Sequence, residues 1–221
     1  MNKIINIVQQ NYLSSFRKKS DELIEEMEKF AQEHNVPILS WQSAEFLEQL
    51  VVLKDPKRVL ELGTAIGYSS IRIARNLKGK SVIHTIEKST DNIVVAKEYI
   101  SKSVVVNKIK LLEGDALNIM PQLKKKYDLI FLDADKEDYK RLFDYSLVLL
   151  RRGGLLVVDN LLWHGYAASS RVPKQYKEST NHIREFNDLF IDSFGADFGH
   201  ATKRGNSLIA ENLANLIREL D

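Results

Sequence analysis

Apolar residues recur at helical spacing through the opening of the chain. Ile4, Ile5, Val8, Tyr12 and Leu13 form one stripe, and Leu23, Ile24, Met27 and Phe30 form a second, with Ser20 placed as its N-cap. Asn35-Val36-Pro37 ends that helix, because the residue before a proline is pushed out of helical geometry. A third helix is predicted over 44–53, stopping at Asp55-Pro56. From residue 59 the period changes. Short apolar runs at 59–62, 82–86, 109–112, 127–132 and 155–158 read as strands, the last one following Gly153-Gly154. Helical patterns at 69–77, 91–100 and 139–149 separate them, with a short segment at 116–123.

Strands separated by helices build a parallel sheet covered on both faces. The expected fold is therefore α/β, a Rossmann-like, doubly wound, mostly parallel sheet behind a helical extension of about 1–54. Residues 161–180 are polar and basic without a clear period, and a connection that long is uncommon unless functional, so the segment is read as a substrate lid. A helix near 181–190 follows. Segments 198–202 and 207–210 are then expected to pair as a terminal antiparallel hairpin, with 212–221 as a helix-like tail. Neither a repeat nor a linker interrupts the pattern, which reads as one domain over 1–221.

Composition narrows the class without naming a chemistry. With 44% hydrophobic and 28% charged residues the chain is an ordinary globular protein, and no run approaches the roughly 18 apolar residues of a membrane span. The N-terminus lacks the pattern of a secretory signal, and there is no cysteine, so a cytoplasmic location is expected and disulfides, thiolate metal sites and thiol nucleophiles are excluded. A net charge of +2 does not by itself imply a nucleic-acid partner.

Candidate chemistry sits at the strand ends. Glu61-Leu62-Gly63-Thr64-Ala65-Ile66-Gly67-Tyr68-Ser69 places two glycines at a strand-to-helix turn, where the backbone can approach a ligand closely. Glu87 ends the second strand and suits ribose hydroxyls, while Asp115 and Ala116 follow the third and suit an adenine edge. Each signal alone also fits a plain turn or a solvated strand end. The second glycine of a dinucleotide fingerprint is missing, and Gly79-Lys80-Ser81 precedes a strand as a turn, not as a phosphate loop. Asp133 and Asp135 follow the fourth strand, and Asp159-Asn160 the fifth. If those strands are neighbours, the oxygens converge into a hard site suited to Mg²⁺, Mn²⁺ or Ca²⁺, and no paired histidines favour zinc. The alternative is that such aspartates, Asp135 or Asp138 among them, cap nearby helices.

These motifs, with Lys136, Tyr139 and Gly153-Gly154, resemble the cation-dependent O-methyltransferases related to catechol and caffeoyl-CoA O-methyltransferases, over about 36–210. The resemblance implies a class I methyltransferase fold, S-adenosylmethionine as cofactor and a divalent cation on Asp133, Asp159 and Asn160. It implies that Glu87 binds the ribose and Asp115 with Ala116 the adenine. Gly63, Ser69 and Asp133 would line the methionine end, Glu61 would support it, and Lys136 matches the catalytic lysine. Within the family, His34-Asn35-Val36-Pro37-Ile38 and the glycine turn look most like bacterial enzymes that methylate 5-hydroxyuridine at the tRNA wobble position. A small catechol-type or caffeoyl-CoA-like substrate is the alternative. A nicotinamide-dependent oxidoreductase and a non-enzymatic cofactor-binding module are more distant ones. Arg171, Lys174, Lys177, Lys203 and Arg204 are expected at the pocket rim, with Trp163 as lid packing or a stacking platform. The terminal loop reads Gly205-Asn206-Ser207 where the family carries Gly-Asp-Gly. The family also implies a homodimer.

Overall fold

A computed structural model describes residues 7–17 and 21–194. Three helices open the chain: α1 (Ile7–Ser14), α2 (Glu22–His34) and α3 (Trp41–Lys54). The N-cap of α2 is Asp21, one residue after the position expected from the pattern; its carboxylate accepts from the Ile24 amide at 3.0 Å. Ser40 caps α3, which starts three residues earlier than its apolar pattern. Asn35 and Asp55 end α2 and α3 in the left-handed region, where Asn and Asp are tolerated.

The sheet comprises β1 (Arg58–Leu62), β2 (Val82–Glu87), β3 (Ile109–Glu113), β4 (Tyr127–Leu132) and β5 (Leu150–Val158). Their order is β3-β2-β1-β4-β5, and every pairing is parallel. Helices α4 (Tyr68–Asn76), α5 (Thr90–Lys102), the single turn α6 (Ala116–Ile119) and α7 (Tyr139–Leu149) make the crossovers, and α8 (Lys177–Phe194) follows the lid. The expected parallel sheet is thus present. The terminal hairpin, Lys203, Arg204 and the 212–221 tail lie outside the described residues. None of the described helices is long and apolar enough to cross a membrane.

Period-two alternation divides the core between the two faces of the sheet. Val59, Ile83, Leu129 and Phe131 pack under residues of α2–α5, including Met27, Leu47, Ile71 and Ala96. Leu60, Leu62, Ile130 and Leu132 pack on the other side against Tyr139, Phe143, Ile183 and Phe186 of α7 and α8. Each fully buried large side chain contributes about 1.5–3 kcal/mol. The strand order reverses between β1 and β4, and that switch point is where open α/β sheets leave a crevice at the carboxyl ends of their strands.

One strand departs from its pattern. Gly153 and Gly154 were expected ahead of β5 but lie inside it, beside a register irregularity between Tyr127 and Leu129 of β4. Among the described residues β5 pairs only with β4, and its first half carries the exposed Arg151 and Arg152 beside the two glycines.

Candidate functional site

All five strands end at one cleft of about 940 Å³. Backbone bonds one residue past four of them set the side chains there: Gly63 N–H to the Ile86 carbonyl, Gly114 to Glu87, Asp133 to Leu62 and Asp159 to Leu132, at 2.8–3.1 Å. Gly63 and Gly67 both take positive φ, +98° and +87°. At Gly63 a β-carbon would meet the Asp133 carbonyl oxygen, so the residue has to be glycine. Four non-glycine residues of the cleft, Ala65, Asn160, Trp163 and His164, also take positive φ. Such strain concentrates where surrounding structure holds a binding surface in shape.

Glu87 is buried and fixed from two sides, accepting from the Ala65 amide at 2.8 Å and the Ser89 amide at 2.9 Å. Asp115 accepts from the Leu117 amide at 2.8 Å and so caps α6 while lining the cleft beside Ala116. Glu61 lies fully buried beneath the glycine turn, hydrogen-bonded by the Ser70 hydroxyl, with Oε1 unpartnered. Burial pushes its carboxyl up to about 7, opposed by the hydroxyls of Ser69, Ser70 and Thr85. Ser69 lines the cleft above it.

At the ends of β4 and β5 the predicted oxygens do converge. Asn160 Nδ2 donates to Asp133 Oδ1 at 2.9 Å and to Asp159 Oδ2 at 3.2 Å. Lys136 Nζ donates to Asp133 Oδ1 at 3.3 Å, to the Ala134 carbonyl at 2.9 Å and to the Tyr139 hydroxyl at 2.7 Å. Tyr139 in turn donates to the Asp159 carbonyl at 3.2 Å. The ammonium also lies 4.5 Å from the Tyr139 ring centroid and 5.6 Å from that of Trp163. Burial lowers the Lys136 pKa, against the pull of Asp133, and raises that of Asp159, helped by the like charge of Asp133. Neither Asp135 nor Asp138 makes a side-chain cap; Asp135 pairs with Lys88 at 2.5 Å.

The donor set fits a hard divalent cation. Two carboxylates face one another beside an amide, and turning the Asn160 amide over would add a third oxygen. Asp135, Glu137 and Asp138 form a separate acidic group on the turn beyond.

Residues 14–193 match the family model described as O-methyltransferase. The chain belongs to this O-methyltransferase family. It is 36% identical over 131 residues to the catechol O-methyltransferase of Niastella koreensis, covering 58% of this chain and 59% of that one. It is 32% identical over 152 residues to the caffeoyl-CoA O-methyltransferase of Populus kitakamiensis, covering 65% of each. In both cases the chain spans less than two thirds of the relative's length. Among solved structures, the O-methyltransferase TomG from Streptomyces achromogenes, in complex with SAM, superposes with a TM-score of 0.72 at 30% identity, over 81% of this chain and 82% of TomG. The family membership agrees with the motif resemblance and leaves the oxidoreductase alternative without support.

The lid places the expected rim cations on different walls. Arg171 and Lys174, expected at the rim, do not line the cleft. Arg184 of α8 donates to the carbonyls of Ala167 and Tyr166 at 3.0 Å and to that of Ser169, folding 166–169 back against the helix and carrying Arg171 to a separate concavity. Trp163 does line the cleft and packs edge-on to Tyr176. The pattern missed Lys88, His164, His182 and the 37–40 segment, all part of the cleft wall. For His182 there was a signal, since it falls four residues after Glu178 on one helix face.

Proposed function

We propose that this chain transfers the methyl group of S-adenosylmethionine to a hydroxyl oxygen that has a second oxygen beside it. The observation that supports this most is the meeting of Gly63 and Asp133: the nucleotide-type turn and the Lys136–Asp133–Asp159–Asn160 cluster share one cleft. Glu87 would hold the ribose hydroxyls, Asp115 and Ala116 the adenine, and Gly63 with Ser69 the methionine end. Asp133, Asp159 and Asn160 would hold a divalent cation, whose charge would favour ionisation of an acceptor hydroxyl with a phenolic pKa near ~10. Lys136, its basicity reduced by burial, releases its own proton to solvent and, as the neutral amine, takes the hydroxyl proton to become an ammonium again. Tyr139 and the Trp163 ring fix the direction of that ammonium. Trp163 and His164 line the same cleft, where they would help align the acceptor, which direct methyl transfer chiefly requires.

For the acceptor we favour 5-hydroxyuridine in tRNA, supported by the wobble-uridine-type motifs at 34–38 and 63–69 and by aromatic side chains at the lid. A catechol-type small molecule is the second reading, favoured by relatives named for catechol and caffeoyl-CoA. One assay panel separates them: nucleoside analysis of tRNA from a deletion strain beside turnover of catechol and caffeoyl-CoA. Unchanged wobble-uridine modification removes the tRNA reading. Full activity after complete chelation of divalent ions, or in Asp159→Ala, removes the cation.

A further inference from the structure

Where the lid meets α8, a second concavity of about 560 Å³ opens. Arg171 and Ser170 reach it from the lid, and Lys177, Asn181 and Arg184 from the helix; among the described residues no Asp or Glu lines it. Among the described residues, none of the three cations pairs with a carboxylate. Lys177, Asn181 and Arg184 are spaced four and three apart and share one face of α8. Glu178, Ser179 and His182, on the other flank, line the main cleft. The first turns of α8 are therefore a partition, with the two cavities about one helix diameter, roughly 10 Å, apart.

Arg184 is committed in part. Its Nε and Nη2 hold the lid carbonyls, while Nη1 makes no hydrogen bond among the described residues. Three like charges gathered around one hollow repel each other, and a phosphate bridging them turns that repulsion into charge-assisted hydrogen bonds.

We infer that the Arg171–Lys177–Arg184 concavity is a phosphate-binding subsite, filled by an acceptor whose hydroxyl enters the main cleft on the other side of α8. The proposal rests on the methyl-transfer reading only for what the main cleft does. The phosphate has two possible sources, an RNA backbone or a nucleotide-bearing carrier such as coenzyme A.

Binding of a short RNA hairpin and of coenzyme A to the full chain, without methyl donor and over a range of salt, tests it. The variant is Arg171→Gln with Lys177→Gln; Arg184 is kept because its loss would release the lid. A thermal melt by circular dichroism verifies folding. The expected result is affinity about tenfold or more weaker in the double variant, with the salt slope for RNA shallower by about 1.4 for two contacts at about 0.7 each. Loss for the hairpin alone assigns an RNA backbone, and loss for coenzyme A alone assigns a carrier. Unchanged affinity for both probes in a folded double variant, or no binding of either by the wild type, overturns the subsite. No methyl transfer is read, so failure of the methyltransferase proposal leaves this result standing.

Discussion

A β-carbon on residue 63 would sit 2.0 Å from the carbonyl oxygen of Asp133. The ends of β1 and β4 therefore touch backbone to backbone, and this contact sets the distance between the nucleotide-type turn and the acidic cluster. Gly63→Ala violates both the contact and the +98° φ. It is expected to cost about 3 kcal/mol or more in urea unfolding and to abolish S-adenosylmethionine binding in calorimetry.

Glu61 gives the protein a pH-dependent stability. Its folded pKa, about 7, lies above the ordinary 4.5, so folding favours the protonated form. The contribution is whole below about pH 4.5 and is lost as pH rises through about 7. A shift of that size corresponds to something on the order of 3 kcal/mol. Urea midpoints between pH 5 and 8.5 are expected to fall for the wild type, and Glu61→Gln should flatten that decline. An equal slope in both proteins would show that the carboxyl stays charged.

Lys136→Met is expected to lower kcat by a factor of about 10²–10³, the usual weight of a positioned proton acceptor, with a small change in cofactor affinity. Lys136→Arg should rescue little, because a guanidinium does not give up its proton near neutrality. The pH profile of kcat/KM discriminates: the acidic limb, on which activity rises as the lysine loses its proton, disappears in both variants.

Arg184→Gln removes the donors that hold three lid carbonyls. Loss of those charge-assisted bonds should cost about 1–3 kcal/mol. Hydrogen exchange is the direct check, with amides around 165–169 exchanging faster while those of β1 and β4 keep their protection.

Much of this architecture could be read from patterns because its determinants are local. β1, β2 and β4 are continuous apolar runs because helices cover both their faces, and their ends carry Glu61, Glu87 and Asp133 in view. The start of β5 was hidden, because it carries the exposed Arg151 and Arg152 and two glycines where an apolar run would mark a strand, with Arg151 paired to Asp128 at 2.8 Å. The lid was hidden for a different reason. Its conformation depends on Arg184, fifteen to eighteen positions downstream of the carbonyls it binds, and no period within 161–176 encodes such a contact. Nothing in the order Arg171, Lys174, Lys177 says which side of α8 each takes; Arg171 and Lys177 line the separate concavity.

The Arg184 latch also bears on how tightly an acceptor can be held. A connection of the lid's length left loose would lose its conformational freedom at the moment of capture, weakening every complex by that amount. Here a single guanidinium settles 166–169 when the chain folds, before any acceptor arrives. The ordering is charged to the stability of the protein instead of to recognition, and a weakly binding acceptor meets a wall that is already in place.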